Sequence, residues 1–181
     1  MGIWSKKMED GESTYHVYLD SESITANGLT TKAQNGLFII IKYTDSTYKD
    51  QAFARTVAHE TFHILQEIYK KSDKPVLSWF KEAGASWAGM EYIDSYCSWG
   101  NTFANRYLKT TKDSIISKTD WVNDRQYGLY LFFKYISQNN GGFSSMKRIL
   151  EAYTEYDDIY KAFGYCQESG KTSYKALFAG F

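Results

Sequence analysis

The order of apolar and polar positions divides the chain into a strand-rich beginning and a helical remainder. Residues 14–19 alternate in polarity and residues 37–43 form a continuous apolar run, and both patterns are typical of β-strands. Residues 20–31 are rich in turn formers and predict a connection. Beyond residue 50, apolar residues recur at helical spacing, and glycine, asparagine or proline marks the helix ends.

The pattern predicts a single α+β domain over residues 1–181. About residues 1–50 form its strand-rich part and residues 51–181 its helical part. The predicted helices cover about residues 48–71, 76–93, 102–108, 121–136, 143–153, 157–163 and 172–178. A chain of 181 residues is long enough to bury a core of its own.

Charge and composition exclude two classes of partner. Lys plus Arg and Asp plus Glu each number 21, so no bulk electric field attracts nucleic acid. The longest apolar stretch, residues 36–41, is too short to span a bilayer. Cys97 and Cys166 could form one disulfide or be two buried thiols, and two thiols are favoured. We expect a monomer.

The stretch Thr56–Gln66 carries the sequence His59-Glu60-Thr61-Phe62-His63 within an apolar helical pattern. Two histidines four residues apart lie on one helix face, one turn apart, so both imidazoles can reach one metal ion. The glutamate between them can hold a water beside that ion, and zinc is the metal that this trio suits best. The alternative is that the histidines are unrelated surface residues.

The lengths of two predicted helices indicate a third ligand. The first helix continues about eight residues beyond His63, and the second runs about seven residues before Glu82, roughly 12 and 10 Å. Antiparallel packing would bring Glu82 level with His63 and complete a zinc site with one open position. Glu82 as an exposed helix residue, and Glu91 as a competing ligand, remain alternatives.

These segments resemble the zinc-binding segments of the gluzincin metallopeptidases. In that family a His-Glu-x-x-His helix precedes a glutamate in a segment similar to Trp-x-x-Glu-Gly-x-Ala, and here 18 residues separate His63 from Glu82. The resemblance covers about residues 37–140 and extends to uncharacterised secreted bacterial metalloproteases. It implies a zincin-like fold, in which a small mixed sheet packs on the active-site helix, and an extracellular or cell-surface location.

Two positions depart from the family pattern. The family glycine directly after the third ligand is Ala83 here, and Gly84 follows one position later. Thermolysin relatives place an aspartate where this chain has Ser86, and that aspartate orients the first histidine. Another group would then orient the histidine, and Glu91 and Asp94 are candidates.

Peptide hydrolysis also needs a hydrogen-bond donor for the developing oxyanion, typically His, Tyr or Arg. No histidine follows His63, so a tyrosine or an arginine is expected. Tyr127 resembles the position that some gluzincins use, and Arg125 is a weaker candidate for this role or for binding a substrate carboxylate. The alternative is that Tyr127 is an ordinary core aromatic.

The resemblance implies a zinc-dependent peptidase that acts on peptides or proteins. Glu60 would be the general base, which takes a proton from a zinc-bound water and hands it to the leaving amine. An edge strand, Leu37–Ile41 or its neighbour, would hold the substrate as an added strand. We expect an endopeptidase because no stretch like Gly-x-Met-Glu-Asn precedes the motif.

Two other functions remain open. The altered segment Glu82-Ala83-Gly84 favours a non-catalytic binding or adhesion module with a gluzincin fold. An amide hydrolase that acts on a non-peptide substrate would share every metal residue with a peptidase.

Overall fold

The structure is a computed structural model of the chain. It describes residues 3–7, 14–20, 28–33, 36–42, 51–69, 77–93, 98–109, 125–156, 158–166, 177 and 181. The strands in this part are β1 (Ile3–Lys7), β2 (Thr14–Asp20), β3 (Gly28–Ala33) and β4 (Gly36–Lys42). The helices are α1 (Gln51–Ile68), α2 (Ser78–Ile93), α3 (Ser98–Lys109), α4 (Arg125–Gly128), α5 (Tyr130–Asn139), α6 (Phe143–Tyr156) and α7 (Ile159–Phe163). This content confirms the predicted α+β class.

The chain divides into two compact units. One consists of Met1–Leu65 and Ala88–Ser95, and the other of Gln66–Trp87 and Tyr96–Phe181. Helices α1 and α2 are continuous and contribute residues to both. The single domain predicted from the sequence stays a prediction.

The first unit contains a mixed sheet of the four strands in the order β1-β2-β4-β3. The pairs β1–β2 and β3–β4 are antiparallel, whereas β2 and β4 are parallel. Strand β4 is therefore paired on both sides, and its Ile39 and Ile41 are buried, which explains its continuous apolar sequence. The predicted small mixed sheet is confirmed. Of the two alternatives for an edge strand, Leu37–Ile41 is excluded because β4 is paired on both sides, whereas its neighbour β3 lies at an edge of the described sheet.

Strand β3 corrects the prediction that residues 20–31 form only a connection, because Gly28–Ala33 pairs along its length with β4. The strand has one large apolar side chain, Leu29, and that side chain is exposed. An edge strand hydrogen bonds on one side only and need not carry an alternating apolar pattern. Strand β1 was not predicted from the sequence either.

The second unit is built around a cluster of buried aromatic rings. Phe163 of α7 is fully buried, and its ring centroid lies 5.3 Å from that of Phe132 and 6.0 Å from those of Phe80 and Phe133. Trp79 stacks on the same ring at 6.2 Å. These residues come from three helices, so the aromatic side chains that dominate the composition join α2, α5 and α7.

The helix predicted over residues 121–136 is interrupted. Helix α4 ends at Gly128, and α5 starts only after Leu129. A Cβ added at Gly128 would lie 2.4 Å from the carbonyl oxygen of Phe103 and 2.5 Å from Cβ of Tyr107. This glycine lets α4 approach α3 closely, and the interruption falls at the next residue, Leu129. The predicted start at residues 121–124 lies outside the described residues.

The other helix predictions have mixed outcomes. The predicted helices at 76–93, 102–108, 143–153 and 157–163 correspond to α2, α3, α6 and α7. The predicted helix 172–178 falls outside the described residues, except for the buried Leu177. Cys166 is a free, fully buried thiol, which agrees with the favoured prediction for this residue. Cys97 is not among the described residues. No described helix has the length and apolar content that a bilayer crossing requires.

Candidate metal centre

Helix α1 presents the two histidines of the motif on one face. His59 and His63 are one turn apart, and their ring centroids lie 4.8 Å from each other with the rings nearly perpendicular. Two threonines donate hydrogen bonds to the backbone carbonyl four residues earlier: Thr56, before His59, to Ala52 at 2.9 Å, and Thr61, between the histidines, to Val57 at 2.8 Å. The helix is thus regular through the motif, as the spacing predicted.

The two helices pack against each other at both ends of the motif. At one end, Gln66 donates a hydrogen bond of 3.2 Å to the backbone carbonyl of Lys81. At the other end, Gly89 packs so closely that an added Cβ would lie 2.9 Å from the backbone of Arg55 and 3.6 Å from Cβ of His59. Residues early in α2 therefore face residues late in α1, which is the antiparallel pairing that the sequence predicted.

His59, His63 and Glu82 are brought together by this pairing. One potential ligand atom from each residue lies within 4.8 Å of the other two. His63 is buried, and His59 and Glu82 are half-buried. In the described part of the chain these three residues form the group of His, Cys, Asp and Glu side chains that could hold a metal ion, and Glu91 is not a member.

Glu60 lies on α1 between the two histidines, but its carboxylate is held by the sheet. Its side chain is buried, at 6% exposure. The hydroxyl of Thr30 in β3 lies 2.7 Å from its Oε2 and 3.0 Å from its backbone carbonyl oxygen. The edge strand thus holds Glu60, which is the acidic residue of the motif and does not belong to the metal-binding group.

Gly28 allows this contact between helix and strand. An added Cβ at Gly28 would lie 2.7 Å from Cγ2 of Thr56 and 2.8 Å from both Cγ and Oε1 of Glu60. Distances below 3.0 Å exclude a side chain at this position unless the neighbours move. The helix can lie this close to the edge strand because residue 28 is glycine.

The departures from the family pattern leave the helix intact. Ala83 and Gly84 are both buried inside the continuous helix α2. The hydroxyl of Ser86 is buried and makes no hydrogen bond in the described structure, so Ser86 does not orient a histidine. Glu91 is half-buried on α2, and the other candidate, Asp94, lies outside the described residues.

The predicted oxyanion donors lie in the short helix α4. The ring of Tyr127 is half-buried and packs against Phe103 of α3, with 5.2 Å between the ring centroids. The backbone of Arg125 starts α4, whereas its side chain is outside the described structure. The role predicted for Tyr127 stays a prediction.

The donor set of the three clustered side chains fits zinc. Two imidazoles and one carboxylate form a common protein ligand set for catalytic zinc, which leaves a fourth coordination position open. Two contributions to the site were missed from the sequence, the Thr30 hydroxyl and the close approach at Gly28. The hairpin signal Asn35-Gly36 before β4 could have indicated β3, but nothing in the sequence indicates that its Thr30 reaches Glu60.

Comparisons with known proteins do not identify a family. No protein-family model, curated protein or solved structure gives a significant match to this chain.

Proposed function

We propose that this protein is a zinc-dependent peptidase whose metal ligands are His59, His63 and Glu82. The observation that carries this proposal is the convergence of the three potential ligand atoms within 4.8 Å. They come from one turn of α1 and from the antiparallel helix α2. A chance pair of surface histidines would have no reason to face a glutamate about 20 residues later in the chain.

The chemistry of the ligand set supports zinc as the metal. Imidazole nitrogen and carboxylate oxygen are ligands that zinc binds in catalytic sites with three protein ligands. When bound, zinc would supply Lewis-acid activation of water and of the scissile carbonyl.

Glu60 is the proposed general base. Its position next to the first histidine, with its carboxylate outside the ligand group, suits a residue that handles protons. Glu60 accepts a proton from the attacking water and passes it to the nitrogen of the leaving amine. Because the side chain is buried at 6% exposure, bulk water competes little for that proton.

The edge strand β3 is the proposed substrate-binding strand. It is paired on one side with β4, so its other edge in the described sheet can accept an extended peptide by main-chain hydrogen bonding. Thr30 of this strand contacts Glu60, which would place the base beside a peptide added there. This arrangement favours an endopeptidase that acts on peptides or proteins.

Three further parts of the proposal rest on the resemblance or on sequence alone. Tyr127, or in second place Arg125, would stabilise the oxyanion of the tetrahedral intermediate. The protein would be a monomer with a zincin-like fold. It would act outside the cell or at the cell surface.

The decisive experiment combines zinc titration with cleavage of a fluorogenic peptide library. The wild type should bind one zinc ion and cleave peptides. Glu60→Gln should keep zinc affinity within about threefold and lower kcat/KM by about 10²–10⁴. Glu67→Gln, two turns further along the same helix, is the matched control and should keep both properties.

Each alternative function has its own outcome when a set of non-peptide amides is assayed beside the peptide library. A wild type that binds no zinc would contradict the metal site. Zinc binding without cleavage of any peptide or amide would indicate a binding module. Cleavage confined to non-peptide amides would indicate an amide hydrolase.

A further inference from the structure

The contact between Thr30 and Glu60 joins the edge strand to the motif helix through a short hydrogen bond. The hydroxyl of Thr30 lies 2.7 Å from Oε2 of Glu60 and 3.0 Å from the backbone carbonyl oxygen of the same residue. A hydroxyl has a single proton to donate. The shorter distance is typical of a hydroxyl that donates to a carboxylate, so the carboxylate is the stronger acceptor.

The second carboxylate oxygen is also located by β3. Oε1 of Glu60 lies over Gly28, 2.8 Å from where a Cβ would be. Gly28 and Thr30 are two residues apart and so point to the same face of the strand. One face of the edge strand therefore fixes both oxygens of the carboxylate, one by a hydrogen bond and one by a close fit against the backbone.

We propose that Thr30 is a positioning residue that fixes the carboxylate rotamer of Glu60 at the edge strand. This inference rests on the proposed function, in which Glu60 is the general base. Glutamate has three rotatable bonds in its side chain, and a base gains from being held in one orientation before the substrate arrives. Thr30 donates to Oε2, and in this proposal Oε1 would accept the proton of the attacking water.

The structure argues against a purely packing role for Thr30. The hydroxyl makes two polar contacts with one residue, and both lie within the part of the fold that holds the motif. The adjacent Thr31 is exposed and points to the opposite face of the same strand. Thr31 is therefore the matched control for zinc affinity and for the state of the Glu60 carboxylate, with the same residue type and the same strand.

The kinetic test compares Thr30→Val with Thr30→Ser. Valine has nearly the shape of threonine without the hydroxyl, so Thr30→Val should lower kcat by about 10–100-fold and leave KM within about threefold. Thr30→Ser restores the hydroxyl and should return kcat to within about threefold of the wild type. Zinc affinity should stay within about twofold of the wild type in both variants and in Thr31→Val.

A second measurement does not depend on activity. In the zinc-free protein labelled with ¹³C at glutamate Cδ, the Glu60 signal is assigned by its loss in Glu60→Gln. This signal should shift in Thr30→Val, return in Thr30→Ser and stay unchanged in Thr31→Val. If the wild type cleaves no peptide, the proposed function fails, whereas this measurement still decides whether Thr30 holds Glu60.

Either of two results would overturn the inference. One is an unshifted Glu60 signal in Thr30→Val. The other is a fall in kcat that Thr30→Ser does not restore, because the loss would then come from packing and not from the hydroxyl.

Discussion

The side-chain amide of Gln66 donates a hydrogen bond of 3.2 Å to the backbone carbonyl of Lys81. Gln66 is 2% exposed and lies nearly one turn after His63 on α1. Lys81 directly precedes Glu82 on α2. This bond therefore fixes the position of Glu82, the proposed third ligand, along the helix axis relative to His63.

Loss of this bond should weaken metal binding. In Gln66→Leu the side chain keeps about the same volume, but the amide that donates to the Lys81 carbonyl is lost. Glu82 is then held less firmly opposite the histidines. Groups that orient metal ligands typically contribute 10–100-fold in affinity, and we expect about tenfold weaker zinc binding, measured by competition with a chelator.

The side chain of Lys81 provides the control for Gln66. Its amine pairs with Glu67 at 3.2 Å, and both side chains are partly exposed at 31% and 24%. Lys81→Ala removes this pair, which contributes at most about 1 kcal/mol to stability, and keeps the backbone carbonyl. Zinc affinity should then match the wild type. Equal loss in both variants would contradict the role of the Gln66 bond.

Alanine at position 28 should destabilise the fold. Its Cβ would lie 2.7 Å from Cγ2 of Thr56 and 2.8 Å from Cγ of Glu60. Overpacking of this kind costs about 1–3 kcal/mol, which exceeds the gain of about 0.5–1 kcal/mol from replacing glycine in a strand. Gly28→Ala should therefore lower the free energy of unfolding in urea.

A second substitution can test that the clash is the cause. Thr56→Ser removes Cγ2 and keeps the hydroxyl that bonds to the Ala52 carbonyl at 2.9 Å. The double variant Gly28→Ala/Thr56→Ser should lose less free energy of unfolding than the sum of the losses in the two single variants. Strict additivity would mean that the strand and the helix do not approach as closely as the structure shows.

The buried thiol of Cys166 should make stability depend on alkaline pH. Burial raises the pKa of Cys166 above its ordinary value of 9.0, and the positive charge of Arg148 opposes this shift. Below pH 9 the thiol is protonated in both the folded and the unfolded chain, so its contribution is constant. Above pH 9 the unfolded chain loses its proton first, which favours unfolding until the folded thiol ionises as well.

Comparison with Cys166→Ala isolates this effect from other groups that ionise at high pH. Above pH 9, the free energy of unfolding should fall more steeply in the wild type than in the variant, by at most about 1.4 kcal/mol per pH unit. Parallel pH profiles would show that the thiol does not contribute.

The aromatic cluster of the second unit should dominate its stability. Phe163 is fully buried among the rings of Phe80 and Phe132. Phe163→Ala should cost about 3–5 kcal/mol, and Phe163→Leu, which keeps more volume, about 1–2 kcal/mol. Phe143 is the control, because its side chain is 64% exposed, and Phe143→Ala should cost less than about 1 kcal/mol in thermal or urea unfolding. Similar losses at the two positions would contradict the cluster.

The sequence predicted the metal-binding group because helical geometry is regular. The two histidines are four positions apart, and His63 and Glu82 lie at comparable distances from the intervening turn. These spacings determine which side chains lie opposite each other once the two helices pack antiparallel. Strand β4 could also be predicted, because a buried strand that is paired on both sides typically has a continuous apolar sequence.

Contacts that depend on one polar group were not predictable in this way. The edge strand β3 has little apolar pattern, and its significance lies in Gly28 and Thr30, which are ordinary turn and strand residues in the sequence. The close approach at Gly128 likewise involves the carbonyl of Phe103, more than 20 residues earlier in the chain. Local propensity does not encode such long-range approaches.

The position of β3 in the chain also has a consequence for the order of folding. Only two residues separate Ala33 from Gly36, so β3 and β4 form the most local pair of the sheet, and pairs of this kind form fastest. Both strands of this hairpin also precede α1 in the chain. We therefore expect the strand that carries Thr30 to act as a template on which the motif helix settles, so that Glu60 finds its partner already in place.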